Sequence, residues 1–183
     1  PAGAAAGLLL ATQAHTRGWP IPLGGSQTIV EALAQDLLEH GGIIHTGVTV
    51  SSLAELPQAK AVLLDVTPRA LLELAGDALP AGYARSLRRF RYGNAAAKVD
   101  FALSAPVPWA NPHLSGAGTV HLGGTRAQIA RAEAEVASGR HAEHPYVLVA
   151  QPSIADPGRA PAGKQVLWAY SHVPAGSERD PIE

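Results

Sequence analysis

Trp19-Pro-Ile-Pro-Leu-Gly24-Gly25-Ser26 runs directly into a stretch in which Ile29, Val30, Leu33, Leu37 and Leu38 recur at helical spacing. Ser26 stands where an N-cap hydroxyl would accept a bond from a first-turn amide. Gly41-Gly42 closes the helix, with Gly41 where a left-handed C-cap residue is wanted. Ile43-Ile44-His45 and Val48-Thr49-Val50 then read as one strand, Ile43 to Leu53, with an irregularity at Gly47. Ala61-Val62-Leu63-Leu64-Asp65-Val66 is a continuous apolar run of the kind found in strands covered on both faces, as in a parallel α/β sheet. Thr67-Pro68 caps and starts a short helix through Leu74, with proline where its missing N–H costs nothing. Asp65 reads as a cap for that helix in preference to a functional carboxylate. Glycine turn, helix, glycine stop and strand make one α/β unit.

Outward from this unit, Ala4 to Ala14 reads as a small-residue helix joined to it by the Gly/Pro-rich residues Thr16 to Gly25. The texture changes after Asp77. Pro80 to Arg89 reads as a helix, and Asn94 to Leu103 as a strand whose Lys98 and Asp100 share one face and Val99 and Phe101 the other. Thr119 to Leu122 is a short strand. Thr125 and Gln128 form a capping box for a helix through Ser138 that Gly139 stops. Tyr146 to Ala150 and Val166 to His172 are further strands, separated by a long, defined loop, Gln151 to Gly163, that holds three prolines. The expected fold class is α+β (mixed α/β). Residues 1–75 form a strip of an α/β layer, and residues 76–183 a mixed-sheet domain with covering helices.

The composition narrows the function classes. At 183 residues the chain is one domain, or one and a fraction. Its 46% hydrophobic and 16% charged content is ordinary for a globular protein. Net charge is −1, and the short basic run Arg85 to Arg91 reads as a solvated helix end, too narrow for nucleic acid. Without cysteine there are no disulfides, thiolate metal sites or cysteine nucleophiles. There is also no methionine and the first residue is Pro1, which reads as an excised fragment, since no signal-peptide pattern is present. No apolar run approaches the roughly 20 residues that span a bilayer.

No catalytic constellation emerges from the residues alone. G-x-G-x-x-G is absent; Gly116-Ala-Gly118 opens no helix, and Gly123-Gly124-Thr125 reads as a tight turn with a capping threonine rather than an anion site. His141 and His144 flank Glu143, but Gly139 and Pro145 put them in a loop with no third ligand at metal spacing. There is no G-x-S-x-G elbow. Asp100 and Asp156 have no evident partner. In hydride transfer to a flavin, however, the ring performs the chemistry and the protein supplies orientation and shielding.

Taken in order, the phrases Gly18-Trp-Pro-Ile-Pro-Leu-Gly-Gly25, the helix to Gly41-Gly42, Val48-Thr-Val50-Ser-Ser-Leu53 and Ala61-Val-Leu-Leu-Asp-Val-Thr-Pro68 resemble the phytoene-dehydrogenase-like branch of the FAD-dependent amine oxidase superfamily. Lys98-Val-Asp-Phe-Ala-Leu103, Val107-Pro-Trp109, His121-Leu-Gly-Gly124, Gln151-Pro-Ser-Ile-Ala-Asp-Pro157 and Ala160-Pro-Ala-Gly163 extend the likeness along nearly the whole chain. The resemblance implies that Val50 contacts the adenine of FAD through its backbone. It implies that Gly24-Gly25 lies at the seam between cofactor and substrate domains, with Trp19, Gly24 and Gly25 near the substrate pocket. The later sheet would roof the flavin, and no catalytic acid or base is implied. The family's phosphate-gripping fingerprint, acidic ribose ligand and closing C-terminal segment are missing. The parent enzyme would therefore bind FAD and exchange hydride with a small, apolar substrate, while this chain alone binds FAD weakly or not at all. The resemblance places the parent in the cytoplasm, peripheral to a membrane at most. The alternatives are a stand-alone α+β ligand-binding or interaction module without redox activity, and a metal-dependent hydrolase using His141 and His144.

Overall fold

Strands of alternating character need partners, and in the second half of the chain they find one another. The structure, a computed structural model, describes residues 2–180. Among them, β1 (Ala95–Leu103), β2 (Thr119–Leu122), β3 (Val147–Ala150) and β4 (Gln165–Val173) form a sheet of order β1-β4-β3-β2. Every pairing is antiparallel, so the sheet is of one kind rather than mixed. The long β1–β4 ladder sets Val99 opposite Ala169, and Ala169 in turn faces Val149, which faces Val120. Residues two apart on β4 share a face, and there Trp168 stacks on Tyr170 with ring centroids 6.1 Å apart. The Lys98 ammonium lies 5.5 Å from the Trp168 ring and pairs with Asp100.

Helix α5 (Arg126–Ala137) joins β2 to β3 and contacts β4. Its start is the expected capping box, with Thr125 and Gln128 each bonding the other's backbone amide. Ala132 and Val136, one turn apart, are 4% and 2% exposed and form the centre of the core with Val120, Val149 and Ala150. His172 on β4 meets the Glu133 carboxylate of α5 at 2.9 Å.

The chain divides into two units: residues 1–42 with 94–183, and residues 43–93. The larger unit begins with α1 (Ala2–Arg17) and α2 (Gln27–Glu39). Helix α2 ends as its sequence requires, in a left-handed Gly41 (φ +81°) with Gly42 N–H donating to Leu37 O and Gly41 N–H to Leu38 O. Its start differs from expectation. Ser26 has helical dihedrals (φ −63°, ψ −19°) and its hydroxyl accepts no cap bond. A capping side chain needs β-region backbone at that position, and the turn through Gly24 and Gly25 delivers the chain to Ser26 already coiled. The apolar stripe of α2 has no cover: Ile29, Val30, Leu33, Leu37 and Leu38 are all exposed.

In the smaller unit, α3 (Pro68–Ala75) packs on α4 (Ala81–Arg88) through buried Ala75 and Ala84. Thr67 caps α3 through its hydroxyl, which accepts from Ala70 N–H, so Asp65 does not serve as the cap. The expected strands Ile43–Leu53 and Ala61–Val66 do not form. A strand exists only as one side of a ladder, and neither stretch has a neighbour here. Ile43, Val48 and Leu63 are 76%, 67% and 91% exposed. No helix among the described residues is long and apolar enough to cross a membrane.

The core and the bare stripe should respond oppositely to truncation. Val136→Ala is expected to cost about 2 kcal/mol in urea unfolding, whereas Leu33→Ala, already exposed, should change stability by less than about 0.5 kcal/mol. Equal effects at the two positions would mean that α2 is covered after all.

Candidate functional site

The connection from β3 to β4 starts out buried, and it does so on polar side chains at positions 151, 153 and 156. Gln151, Ser153 and Asp156 are 5%, 4% and 6% exposed, and each is bonded. Gln151 Nε2 donates to Leu114 O (3.2 Å) and Ala117 O (2.8 Å), and its Oε1 accepts from Trp109 Nε1 at 3.0 Å. Its backbone N–H donates to Gly118 O at 2.8 Å. Ser153 Oγ accepts from Val166 N–H, at the head of β4, at 2.9 Å. Asp156 Oδ2 accepts from Gly24 N–H at 2.7 Å. Pro152 opens a one-turn helix, α6 (Pro152–Ala155), that brings these side chains to one place.

Pro22 to Gly25 is a four-residue turn closed by Gly25 N–H to Pro22 O at 3.1 Å, with Gly24 at the third position and φ +79°. That conformation strains any residue with a Cβ. Gly25 is buried with φ +103°, and a Cβ built there would lie 2.8 Å from Nη1 of Arg159. Both glycines are thus favoured by their backbone: a Cβ is strained at either positive φ, and at Gly25 it would also displace the Arg159 guanidinium.

Of the residues singled out in the sequence, Gly24 and Gly25 come together with Asp156 and Arg159. Trp19 is 69% exposed. Val50 is half-buried and belongs to the smaller unit. Sequence reading singles out Asp156 only as a carboxylate with no evident partner, and assigns Gln151, Ser153 and Arg159 no role. Their one signal is the density of polar residues in a proline-rich loop, and their partners lie up to 132 residues away. Beside Gln151 a cavity of about 20 Å³ lies among Leu103, Val107, Ile154 and Val166, enough for one water and too small for a substrate.

An open cleft of about 570 Å³ is lined by Glu135, Arg140, His141, Glu143, His172 and Arg179, among others. His141 Nε2 meets Ser177 Oγ at 2.9 Å, one pair of the three groups that a triad needs. No group of three or more His, Asp or Glu able to hold a metal occurs among the described residues. Glu135 receives Arg131 Nε at 3.1 Å and Glu143 N–H at 3.3 Å. The Arg131 bond, then the Glu143 amide, hold its carboxyl below the usual glutamate range.

Compared with known proteins, the chain matches no family model, no curated protein and no solved structure.

Two outcomes follow from these bonds. Gln151→Leu keeps the volume but strands two carbonyls and the Trp109 N–H, and should destabilise by about 3 kcal/mol in denaturant unfolding. Glu135 has a depressed folded pKa, so its stabilisation is present above the ordinary glutamate range and is lost as pH falls through the lower, folded value. The melting-temperature gap between the native chain and Glu135→Gln should be widest near neutral pH and close as pH falls below the ordinary glutamate range. A gap that stays constant with pH would show that the carboxylate's charge does not matter.

Proposed function

We propose that this chain is an internal portion of an FAD-dependent oxidoreductase of the phytoene-dehydrogenase-like kind: a strip of the flavin domain together with the substrate domain. The order of the sequence phrases supports the reading. The observation that carries it is that Ile43–Leu53 and Ala61–Val66, patterned as sheet strands, lie bare and unpaired. Strands of a parallel sheet covered by helices on both faces would leave this surface if the rest of their sheet were supplied by other residues.

The fit to FAD is partial. Val50 N–H and C=O make no hydrogen bond within the described chain, which leaves that backbone edge open to an adenine. A pyrophosphate has no seat at the Gly24-Gly25 turn, because the Gly24 amide is already taken by the Asp156 carboxylate, and a second anion there would be repelled. When bound, FAD would accept or donate hydride. The chain's own share would be to present the antiparallel sheet as a wall that keeps water from an apolar small-molecule substrate. On this reading the parent is a cytoplasmic enzyme, peripheral to a membrane at most.

The test is the colour and sequence of the full-length parent. It should purify yellow and carry G-x-G-x-x-G upstream of Trp19, while the isolated 183-residue chain titrated with FAD shows little or no quenching of flavin fluorescence. A colourless parent lacking that motif would overturn the reading in favour of a binding or interaction module.

A further inference from the structure

Helices α1 and α2 have no hydrophobic seat in the larger unit. No residue of 4–17 is buried, none of α2 is, and Leu8, Leu9 and Leu10 are 71%, 62% and 52% exposed. Within the described residues, the bond from Gly24 N–H to Asp156 Oδ2 is the only hydrogen bond linking residues 2–42 to the sheet segment 94–179. The guanidinium of Arg159, three residues on, lies against Gly25. These two contacts meet the helical arm at a closed turn whose two glycines hold positive φ.

We propose that Asp156 and Arg159 form a latch that holds the arm of residues 2–42 on the sheet, with Asp156 as the positioning residue. The chemistry suits a latch rather than a core. A carboxylate accepting from a backbone amide makes a short, directional, charge-assisted bond, and it is made to a main-chain atom, so no side chain on the arm is needed except the absence of one at Gly25. Gln151 and Ser153 hold the segment from behind through Leu114, Ala117 and Val166, so the latch post stays fixed when the arm leaves. The sheet ladder and α5 do not use Asp156 at all. The latch follows from geometry alone and does not rest on the flavin reading.

The experiment is hydrogen exchange on the full 183-residue chain, with trypsin cleavage after Arg17 as a second readout. In Asp156→Ala, residues 18–26 should exchange at least tenfold faster and cleavage after Arg17 should accelerate similarly, while residues 147–150 and 165–173 exchange as before. Asp156→Asn keeps an acceptor oxygen and should fall between the two. Arg159→Ala should loosen residues 18–26 without touching the sheet. Unchanged exchange in residues 18–26 of Asp156→Ala would overturn the latch. So would equal acceleration in the sheet, which would make Asp156 a core residue. If Asp156→Ala fails to fold, Asp156→Asn and Arg159→Ala decide by the same two criteria.

Discussion

The constraint on which the sheet unit depends is the burial of polar backbone between β3 and β4. These strands are central neighbours, so the residues that leave β3 cannot escape to the surface at once. Buried amides and carbonyls must be paired or they cost about 1–3 kcal/mol each. Gln151 answers this as a four-point clamp that ties the end of β3 to the Trp109 side chain and to the 114–118 turn before β2. Ser153 does the same for the Val166 amide, at the second residue of β4. With both in place, the pairing partners of β3 are set from either side, β2 through Gln151 and β4 through Ser153. The apolar core of small side chains then closes beneath them.

That core is modest. Its most buried members are alanines and valines, and such side chains contribute less per residue than leucine or phenylalanine. Specificity of the sheet therefore leans on directional bonds and on the aromatic row Trp168, Tyr170 and His172 along one face of β4. Large apolar side chains on α1, α2 and the unpaired runs of residues 43–66 are mostly exposed. An isolated helix as short as α2 is marginal in water, so its amphipathic sequence makes physical sense only with a covering surface.

What the sequence reveals divides along the range of the interaction. The Thr125–Gln128 box, the Thr67 cap with Pro68 at the first helical position, and the Gly41 terminus are made within a few residues, and all are legible. The α+β class and the four strands of the second half are legible too, because period-two patterns and turn residues are local. Ser26 misleads because a cap depends on the dihedrals of the turn before it, which Gly24 and Gly25 dictate. Asp65 misleads because Thr67 is two residues nearer to α3. The Asp156–Gly24 contact is invisible because an aspartate beside a proline gives no sign of a partner 132 residues away.

The unformed strands raise a different point. An apolar run such as Ala61-Val-Leu-Leu-Asp-Val66 specifies a buried strand through its composition, but composition cannot make a ladder; only neighbours can. Covering a fully exposed leucine or valine contributes about 1.5–3 kcal/mol, so the side chains of Val62, Leu63, Leu64 and Val66 together offer a covering sheet several kcal/mol before a backbone bond is counted. The same surface left open is a template for edge-to-edge association. Burial inside a larger sheet satisfies both the side chains and the backbone at once. A module that worked alone would have to keep these runs uncovered against that driving force.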